Sequence, residues 1–393
     1  MNQRPNLDSV MHPTPQAPLG ADEAMRLALT LARAAASTAP PNPAVGCVLV
    51  DADGRLLGSG QTQQAGGPHA EVMALRDAAA RGSDLRGATA YVTLEPCSHH
   101  GRTGPCCDAL IEAGIGRVVA SLADPNPRVA GQGFERLRAA GVAVEVGLHA
   151  GEAREINIGF LSRMVRGTPW LRLKVAASID GRTALENGVS QWITGEAARA
   201  DGHAFRSRAG AILTGVGTVL EDDPRLDVRI DTTPGGTVRQ PPLVIVDSRL
   251  QTQPTARLFE RGRPVWIYAA ARDEQKARAL EARGATVDCL ANAEGKVDLP
   301  ALLADLARRE VNELHVEAGH KLNGSLMREG LVDEFLFYLA PKFIGEGMGI
   351  ASRPHAGGPL AALDQALALE FRSVERIGAD LRVIARVAGR DLF

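Results

Sequence analysis

His69, Glu71, Cys97 and Cys106 constrain this chain more than any other residues, because metal-ligating types spread over that length must be folded back onto one point. The stretch begins His69-Ala70-Glu71 and ends Pro96-Cys97-Ser98-His99-His100-Gly101-Arg102-Thr103-Gly104-Pro105-Cys106-Cys107. Thiolate and imidazole suit zinc, and a catalytic zinc takes three protein ligands and keeps a fourth position for water. His69, Cys97 and Cys106 fill those three places. Glu71 is too near His69 in sequence to be a spare ligand; a helical turn places it beside the metal, where it can take the water's proton and return it to a leaving amine. A structural zinc knuckle would need four closed ligands and would leave Glu71 idle. Spacing alone leaves His99 and His100 open as competing ligands. Cys107, next to Cys106 on a helix, points about 100° away and cannot easily share the metal. Cys47, inside an apolar strand, reads as a small core residue.

The rest of the composition excludes several classes. A chain of 393 residues suggests two domains or so, each with its own core. A net charge of -2 gives no electrostatic case for nucleic acid, and 4% aromatic residues offer little base-stacking surface. Five cysteines (Cys47, Cys97, Cys106, Cys107 and Cys289) form no disulfide framework and point to a reducing compartment. No apolar run reaches the ~20 residues of a membrane span, and no signal pattern opens the chain. A cytoplasmic protein, free of membrane and nucleic acid, is the expectation.

Residues 1–20 carry Pro5, Pro13, Pro15 and Pro18 without apolar period and read as a disordered extension. Residues 21–150 alternate helix and strand. A helix capped by Asp22 is followed by a strand over 45–50, a helix from Pro68-His69 to Arg81-Gly82, and a strand over 90–94 that delivers Glu95-Pro96-Cys97. Pro105-Cys106 opens another helix, and strands over 117–120 and 142–146 flank a helix over 133–140. The pattern gives a three-layer α/β sandwich with both metal-bearing segments at helix N-termini, which favour thiolate. A linker helix over 151–167 leads to Gly167-Thr168-Pro169, and a second domain spans 168–393. Its strands, over 170–177, 211–214, 243–247, 265–268 and 313–317, alternate with helices and predict a largely parallel sheet. Runs at 333–339 and 381–384 close it as an antiparallel pair. Ligands then belong at the carboxyl ends of the parallel strands. Gly-rich turns at 214–218 and 317–325 fall there; neither is a dinucleotide fingerprint, and each could equally be a tight connection.

The H-x-E and P-C-x-x-C pattern belongs to the zinc-dependent deaminases of nucleobases and nucleotides, from which this chain departs by spacing Cys97 and Cys106 nine positions apart instead of three. With that longer loop, the segments 69–71 and 95–106 closely resemble the bifunctional riboflavin-biosynthesis deaminase/reductase family. Further resemblance lies in Lys174-Val175-Ala176-Ala177-Ser178-Ile179-Asp180-Gly181-Arg182, Ser190-Gln191-Trp192-Ile193-Thr194, Thr218-Val219-Leu220-Glu221-Asp222-Asp223-Pro224, Val246-Asp247-Ser248 and Val316-Glu317-Ala318-Gly319. It implies a cytidine-deaminase-like α/β/α zinc domain followed by a dihydrofolate-reductase-like α/β domain, one Zn2+ per chain, NADPH, and a homo-oligomer, dimer or larger.

By that resemblance the zinc ligands are His69, Cys97 and Cys106, and Glu71 is the proton shuttle. Asn42, His99, Arg102, Thr103, Asp124 and Asn126 would meet the substrate of the first half; without the family, Asn42, Asp124 and Asn126 read as turn residues. In the second half Ala176, Trp192, Thr218, Asp222, Ser248 and the loop Gly319, His320, Lys321, Leu322, Asn323, Gly324 and Ser325 would meet NADPH. Ser190, Arg206, Leu226, Arg229 and Glu317 would meet the substrate, with the two arginines suited to a phosphate. Lys174 would stand near the reacting ribose carbon, though an edge-strand surface lysine fits the sequence as well. Arg249, beside Ser248, is a candidate for a 2'-phosphate contact. The implied reactions are zinc-dependent deamination of a diaminopyrimidinone ribosyl phosphate, then hydride transfer from NADPH to the ribosyl group. A nucleic-acid deaminase is disfavoured by the charge balance and the ligand loop, and a zinc-bearing scaffold by the idle Glu71.

Overall fold

The first helix, α1 (Ala21–Ala35), buries Met25, Ala28, Leu29 and Ala32 along one face, and acidic residues in its first turn with Arg33 in its last complement its dipole. Gly20, not Asp22, occupies the cap; Asp22 sits one turn below Arg26 and bonds it at 2.7 Å. The computed structural model describes residues 17–98, 104–126, 129–230, 238–355 and 358–393. They divide into two units, the break falling between Asn157 and Ile158, with Pro40–Asn42 grouped with the second.

The first unit is built on β1 (Gly46–Val50), β2 (Leu56–Gln61), β3 (Thr89–Val92), β4 (Arg117–Ala120) and β5 (Ala143–Val146), ordered β2-β1-β3-β4-β5. Strand β1 runs antiparallel to β2 and β3, while β3, β4 and β5 are parallel. On one face Val48, Val50, Tyr91 and Val119 share a core with α1 and Ala153 of α5 (Ala150–Ile156). Cys47 and Leu49 belong to the other face, paired with Gly60 and Gly58 of β2. There α2 (Ala70–Arg81) lies almost on the backbone: a Cβ on Gly60 would stand 2.4 Å from the Ala74 nitrogen and 2.5 Å from the Ala70 oxygen. Any larger residue would lift the helix and His69, which caps it. Helices α3 (Cys106–Glu112) and α4 (Gln132–Ala139) pack in turn beside α2, completing three layers.

The run read as one helix over 151–167 is two, α5 and α6 (Ile158–Arg166). Asn157 makes the break: its amide accepts from the Ala44 nitrogen at 2.8 Å and donates to the Ala44 oxygen at 2.9 Å, a buried bridge that pulls its own backbone out of helical register.

The second unit continues with β6 (Trp170–Ser178), β7 (Arg182–Ala184), α7 (Glu196–Arg208), β8 (Ala211–Gly215), α8 (Val216–Asp222), β9 (Leu243–Val246), β10 (Val265–Ala269), α9 (Glu274–Glu281) and β11 (Ala285–Cys289). It ends with α10 (Leu299–Arg308), β12 (Glu313–Val316), α11 (His320–Arg328), β13 (Glu334–Ala340), β14 (Met348–Gly349), β15 (Leu369–Ile377) and β16 (Asp380–Val387). Nine strands form one sheet, β11-β10-β9-β8-β12-β6-β13-β16-β15, in which only the β16 pairings are antiparallel. Over the parallel strands both faces are covered, as continuous apolar runs require, whereas β15 is mostly exposed. Leu171, Leu173, Ala211 and Leu213 pack with α10 and α11, and Ile212, Ile245 and Ile267 with α9. Among the described residues no helix is long and apolar enough to cross a membrane.

Candidate active sites

In the first unit the metal-binding residue types converge. Nδ1 of His69, the residue before α2, lies 3.5 Å from Cys97 Sγ and 3.3 Å from Cys106 Sγ. Ligand atoms of all three residues fall within 4.8 Å of one another, and among the described residues no other His, Cys, Asp or Glu group is so gathered. Two thiols and one imidazole in a largely buried cluster are a donor set that fits zinc. Cys106 is the first residue of α3, as its Pro105 foretold, but Cys97 lies in the loop after β3 and not on a helix. The helix terminus still serves it, because the Cys106 backbone N–H donates to Cys97 Sγ at 3.4 Å. A hydrogen bond from the Cys106 thiol, outweighing burial, and another from His69 hold the Cys97 thiol down at about 4. Cys107 is buried outside this group, donating its N–H to the Cys97 oxygen at 3.2 Å, and Cys47 is buried within β1. His99, His100, Arg102 and Thr103 lie outside the described residues.

Glu71 sits in the first turn of α2 with 3% of its surface exposed and hydrogen-bonds Cys106. Burial, then the negative charge of Cys97, lifts its carboxyl to about 7.

A second buried carboxylate, Glu95, was given no role by the sequence. Its oxygens accept the N–H groups of Asp124 (3.1 Å), Gly131 (3.1 Å) and Gly133 (2.9 Å). These bonds tie the segment from Asp124 to α4 against Pro96-Cys97. A Cβ on Gly133 would come within 2.0 Å of the Pro96 oxygen, so only glycine permits the approach. Asp124 is buried, accepts the Asn126 N–H at 2.8 Å, and is raised to about 6, chiefly by that burial. The Asn126 backbone oxygen accepts the N–H groups of Val129 and Ala130. Asn42 falls among the three residues grouped with the second unit.

In the second unit Lys174 on β6 and Glu317, just past β12, face each other one step beyond the Leu173–Val316 strand pair, with Nζ 3.5 Å from Oε2. Arg206 of α7 binds the same carboxylate through Nε and, at 2.9 Å, through Nη2. His315 Nε2 lies 3.3 Å away. Burial opposes ionisation of Glu317, yet the charges of Arg206 and Lys174 outweigh it and hold the carboxyl well below its ordinary value. Arg206 also donates to the Asp227 oxygen at 2.9 Å. Asp227, itself buried, pairs with Arg229 and, at 3.0 Å, with Arg261. Leu226, at a φ of 49°, turns the chain between them, and its oxygen accepts from Arg263 at 2.8 Å. Lys174, Glu317, Arg206 and, through Asp227, Arg229 thus form one network, with Leu226 next to it in the chain, while Ser190, half-buried after β7, joins none of these bonds. Asp227, His203 and His315 were not legible, since nothing in the local pattern marks a buried partner.

The two glycine-rich turns meet at the carboxyl ends of the neighbouring strands β8 and β12. A Cβ on Gly319 would lie 3.8 Å from Thr218 Oγ1, and one on Gly215 3.2 Å from Leu322. Ser248, after β9, is one strand over and accepts the Val297 N–H at 3.2 Å; Ala176 lies on β6 opposite Tyr338. His320, Lys321 and Leu322 open α11, whereas Asn323 and Gly324 pack against the 350–352 segment. Asn323 donates to the Ile350 oxygen at 3.0 Å, and a Cβ on Gly324 would collide with the Ser352 oxygen at 1.8 Å. Ser325 bonds back to Lys321 within the helix. Asp222, at the end of α8, and Arg249 are exposed. Trp192 is 63% exposed, with the Arg199 guanidinium 4.5 Å over its ring.

Residues 20–122 match the cytidine and deoxycytidylate deaminase zinc-binding region, and residues 169–383 the RibD C-terminal domain. The riboflavin biosynthesis protein RibD of Escherichia coli K12 is 45% identical over 366 residues, 91% of this chain and 96% of that protein. The solved structure of Acinetobacter baumannii RibD is 38% identical, with a TM-score of 0.83 over 93% of this chain and 98% of that one. A diaminohydroxyphosphoribosylaminopyrimidine deaminase/5-amino-6-(5-phosphoribosylamino)uracil reductase from Thermotoga maritima superimposes with a TM-score of 0.81 at 32% identity, covering 93% of this chain and 98% of that one. The chain accordingly belongs to the RibD family, the bifunctional deaminase–reductases of riboflavin biosynthesis.

Proposed function

We propose that the first unit removes an amino group from a diaminopyrimidinone ribosyl phosphate at the His69–Cys97–Cys106 cluster, and that the second reduces the ribosyl group of the product to a ribityl chain. Zinc held by the three ligands would supply Lewis-acid activation of a water. Glu71 takes a proton from the attacking water and delivers it to the departing amine, which leaves as ammonia. Asp124, held by Glu95, and Asn126, held by Asp124, would border the substrate with Asn42, His99, Arg102 and Thr103, all assigned by resemblance. The observation that carries this reading is the convergence of His69, Cys97 and Cys106 with the buried carboxylate of Glu71 in the first turn of α2.

In the second unit NADPH would supply the hydride. The turns around Thr218 and Gly319–Leu322 hold it, together with Ala176, Ser248 and the more distant Trp192, Asp222 and 323–325 segment. Arg206 and Arg229 take the substrate phosphate, Leu226, Ser190 and Glu317 flank the sugar, and Lys174 stands at the reacting carbon. Support comes from the Lys174–Glu317–Arg206 contacts at the strand ends, where ligands of parallel sheets bind.

The protein is also read as cytoplasmic, since its five cysteines are unpaired, and as a homo-oligomer, since edge strand β15 leaves Phe371 75% exposed. The deciding experiment follows ammonia release and NADPH oxidation separately in wild type and Glu71→Gln. Loss of ammonia release with zinc retained, and unchanged NADPH oxidation on the deaminated intermediate, is the expected result. Ammonia release at the wild-type rate would remove Glu71 from the mechanism.

A further inference from the structure

His203 stands on α7 one turn before Arg206, half-buried, and belongs to no motif of the sequence. Its Nδ1 accepts the backbone N–H of Arg229 at 3.2 Å and lies 3.5 Å from Arg206 Nη1. The same Nη1 reaches the Asp227 oxygen at 2.9 Å. Two bonds therefore fasten the 227–229 turn to α7, one from the arginine and one through the imidazole. The turn needs such fastening. Its Asp227 pairs with Arg229 of the same turn and with Arg261 from outside it, and the preceding Leu226 sits at positive φ. Without an acceptor on α7 the Arg229 N–H would lose the bond that sets where its guanidinium begins.

We infer that His203 is a positioning residue for anion recognition: as a neutral imidazole accepting at Nδ1, it holds Arg206 and Arg229 at the spacing that takes the ribosyl phosphate. The inference rests on the reading of those two arginines as the phosphate ligands. Charge around the ring agrees with it. Arg206 and Arg229 face it from the helix and the turn, Glu317 and Asp227 oppose them, and burial with the two arginines depresses its pKa to about 4. The ring is therefore neutral throughout the neutral range, and its tautomer with the proton on Nε2 is the one state in which Nδ1 can receive an N–H. A protonated ring would offer a donor where the turn presents another donor.

The test compares His203→Ala, His203→Asn and Arg229→Met in NADPH oxidation with the deaminated intermediate, together with inhibition by D-ribose 5-phosphate and by D-ribose. Asparagine can place an amide oxygen near the position of Nδ1. His203→Ala should raise KM and the inhibition constant of ribose 5-phosphate about tenfold, the loss of about one hydrogen bond, with kcat within about twofold and inhibition by ribose unmoved. His203→Asn should restore both constants to near wild type. If His203→Ala does not fold, His203→Leu, which fills the space without an acceptor, carries the same expectation. If Arg229→Met weakens ribose 5-phosphate but His203→Ala or His203→Leu leaves it unchanged, the positioning role is overturned. If Arg229→Met also has no effect, the phosphate reading fails, and the inference with it. Equal losses of ribose and ribose 5-phosphate inhibition would mark a merely structural defect and likewise overturn the proposal.

Discussion

The Lys174 ammonium stands 3.5 Å from the Glu317 carboxylate, across neighbouring parallel strands and beside the Arg206 guanidinium. The Glu317 side chain is only 12% exposed, so the carboxylate is kept ionised by these two cations. Glu317→Gln leaves both cations without their counter-charge. It should cost about 3 kcal/mol of stability in the second unit and reduce NADPH oxidation by about a hundredfold. Lys174→Met removes one of two cations facing the carboxylate and should match the activity loss at a smaller stability cost. Ammonia release by either variant should stay near wild type; a parallel fall would mean that the two reactions are not separable by unit.

Glu95 and Gly133 make a prediction for the other half. The Glu95 carboxylate is satisfied by backbone N–H groups, and Gly133 lets that backbone approach Pro96. Glu95→Ala orphans those donors, and Gly133→Ala forces the Pro96 oxygen away, so both move the chain that carries Cys97. Zinc affinity should fall by about ten- to a hundredfold, as for other supports of metal ligands. Competition with a chromogenic chelator would measure it; unchanged affinity would show that the Cys97 loop is held by other contacts.

What the sequence carried and what it withheld divide along physical lines. The convergence of His69, Cys97 and Cys106, with Glu71 in the first turn of α2, was legible because ligand chemistry dictates residue type and helix geometry dictates spacing. The parallel strands were legible because burial on two faces leaves unbroken apolar runs such as Leu243–Val246. Strand β15 escaped because its residues are mostly exposed and show no alternation, and the break at Asn157 because it depends on Ala44, far away in sequence. Glu95, His203 and Asp227 escaped for the same reason: a buried polar residue is defined by its partners. The packing of Asn323 and Gly324 against 350–352 likewise could not be read from a glycine-rich loop.

Removing the metal offers a prediction that separates the units. Zinc at His69, Cys97 and Cys106 would hold three segments of the first unit together, the α2 cap, the Cys97 loop and the start of α3. Dialysis against a strong chelator should abolish ammonia release and lower the melting temperature of the first unit, because binding energy at such a site is also folding energy. NADPH oxidation with the deaminated intermediate should persist, since none of the second unit's network uses those ligands. Restoration by zinc would complete the assignment, and ammonia release undiminished in metal-free protein would refute it.

The last prediction concerns pH and follows from His203. In the unfolded chain its imidazole takes up a proton as pH falls through about 6.5, whereas in the folded protein burial and the charges of Arg206 and Arg229 delay uptake until about 4. Between those values the unfolded state binds more protons, so the contribution of His203 to stability is lost progressively as pH falls and levels off below about 4. His203→Asn has no such proton to bind. Its melting temperature should therefore fall less than that of wild type between neutral pH and about pH 4.5, the gap shifting in the variant's favour on acidification. Calorimetry of the two proteins at both pH values measures this, and a constant gap would mean that the His203 imidazole titrates alike in folded and unfolded chains.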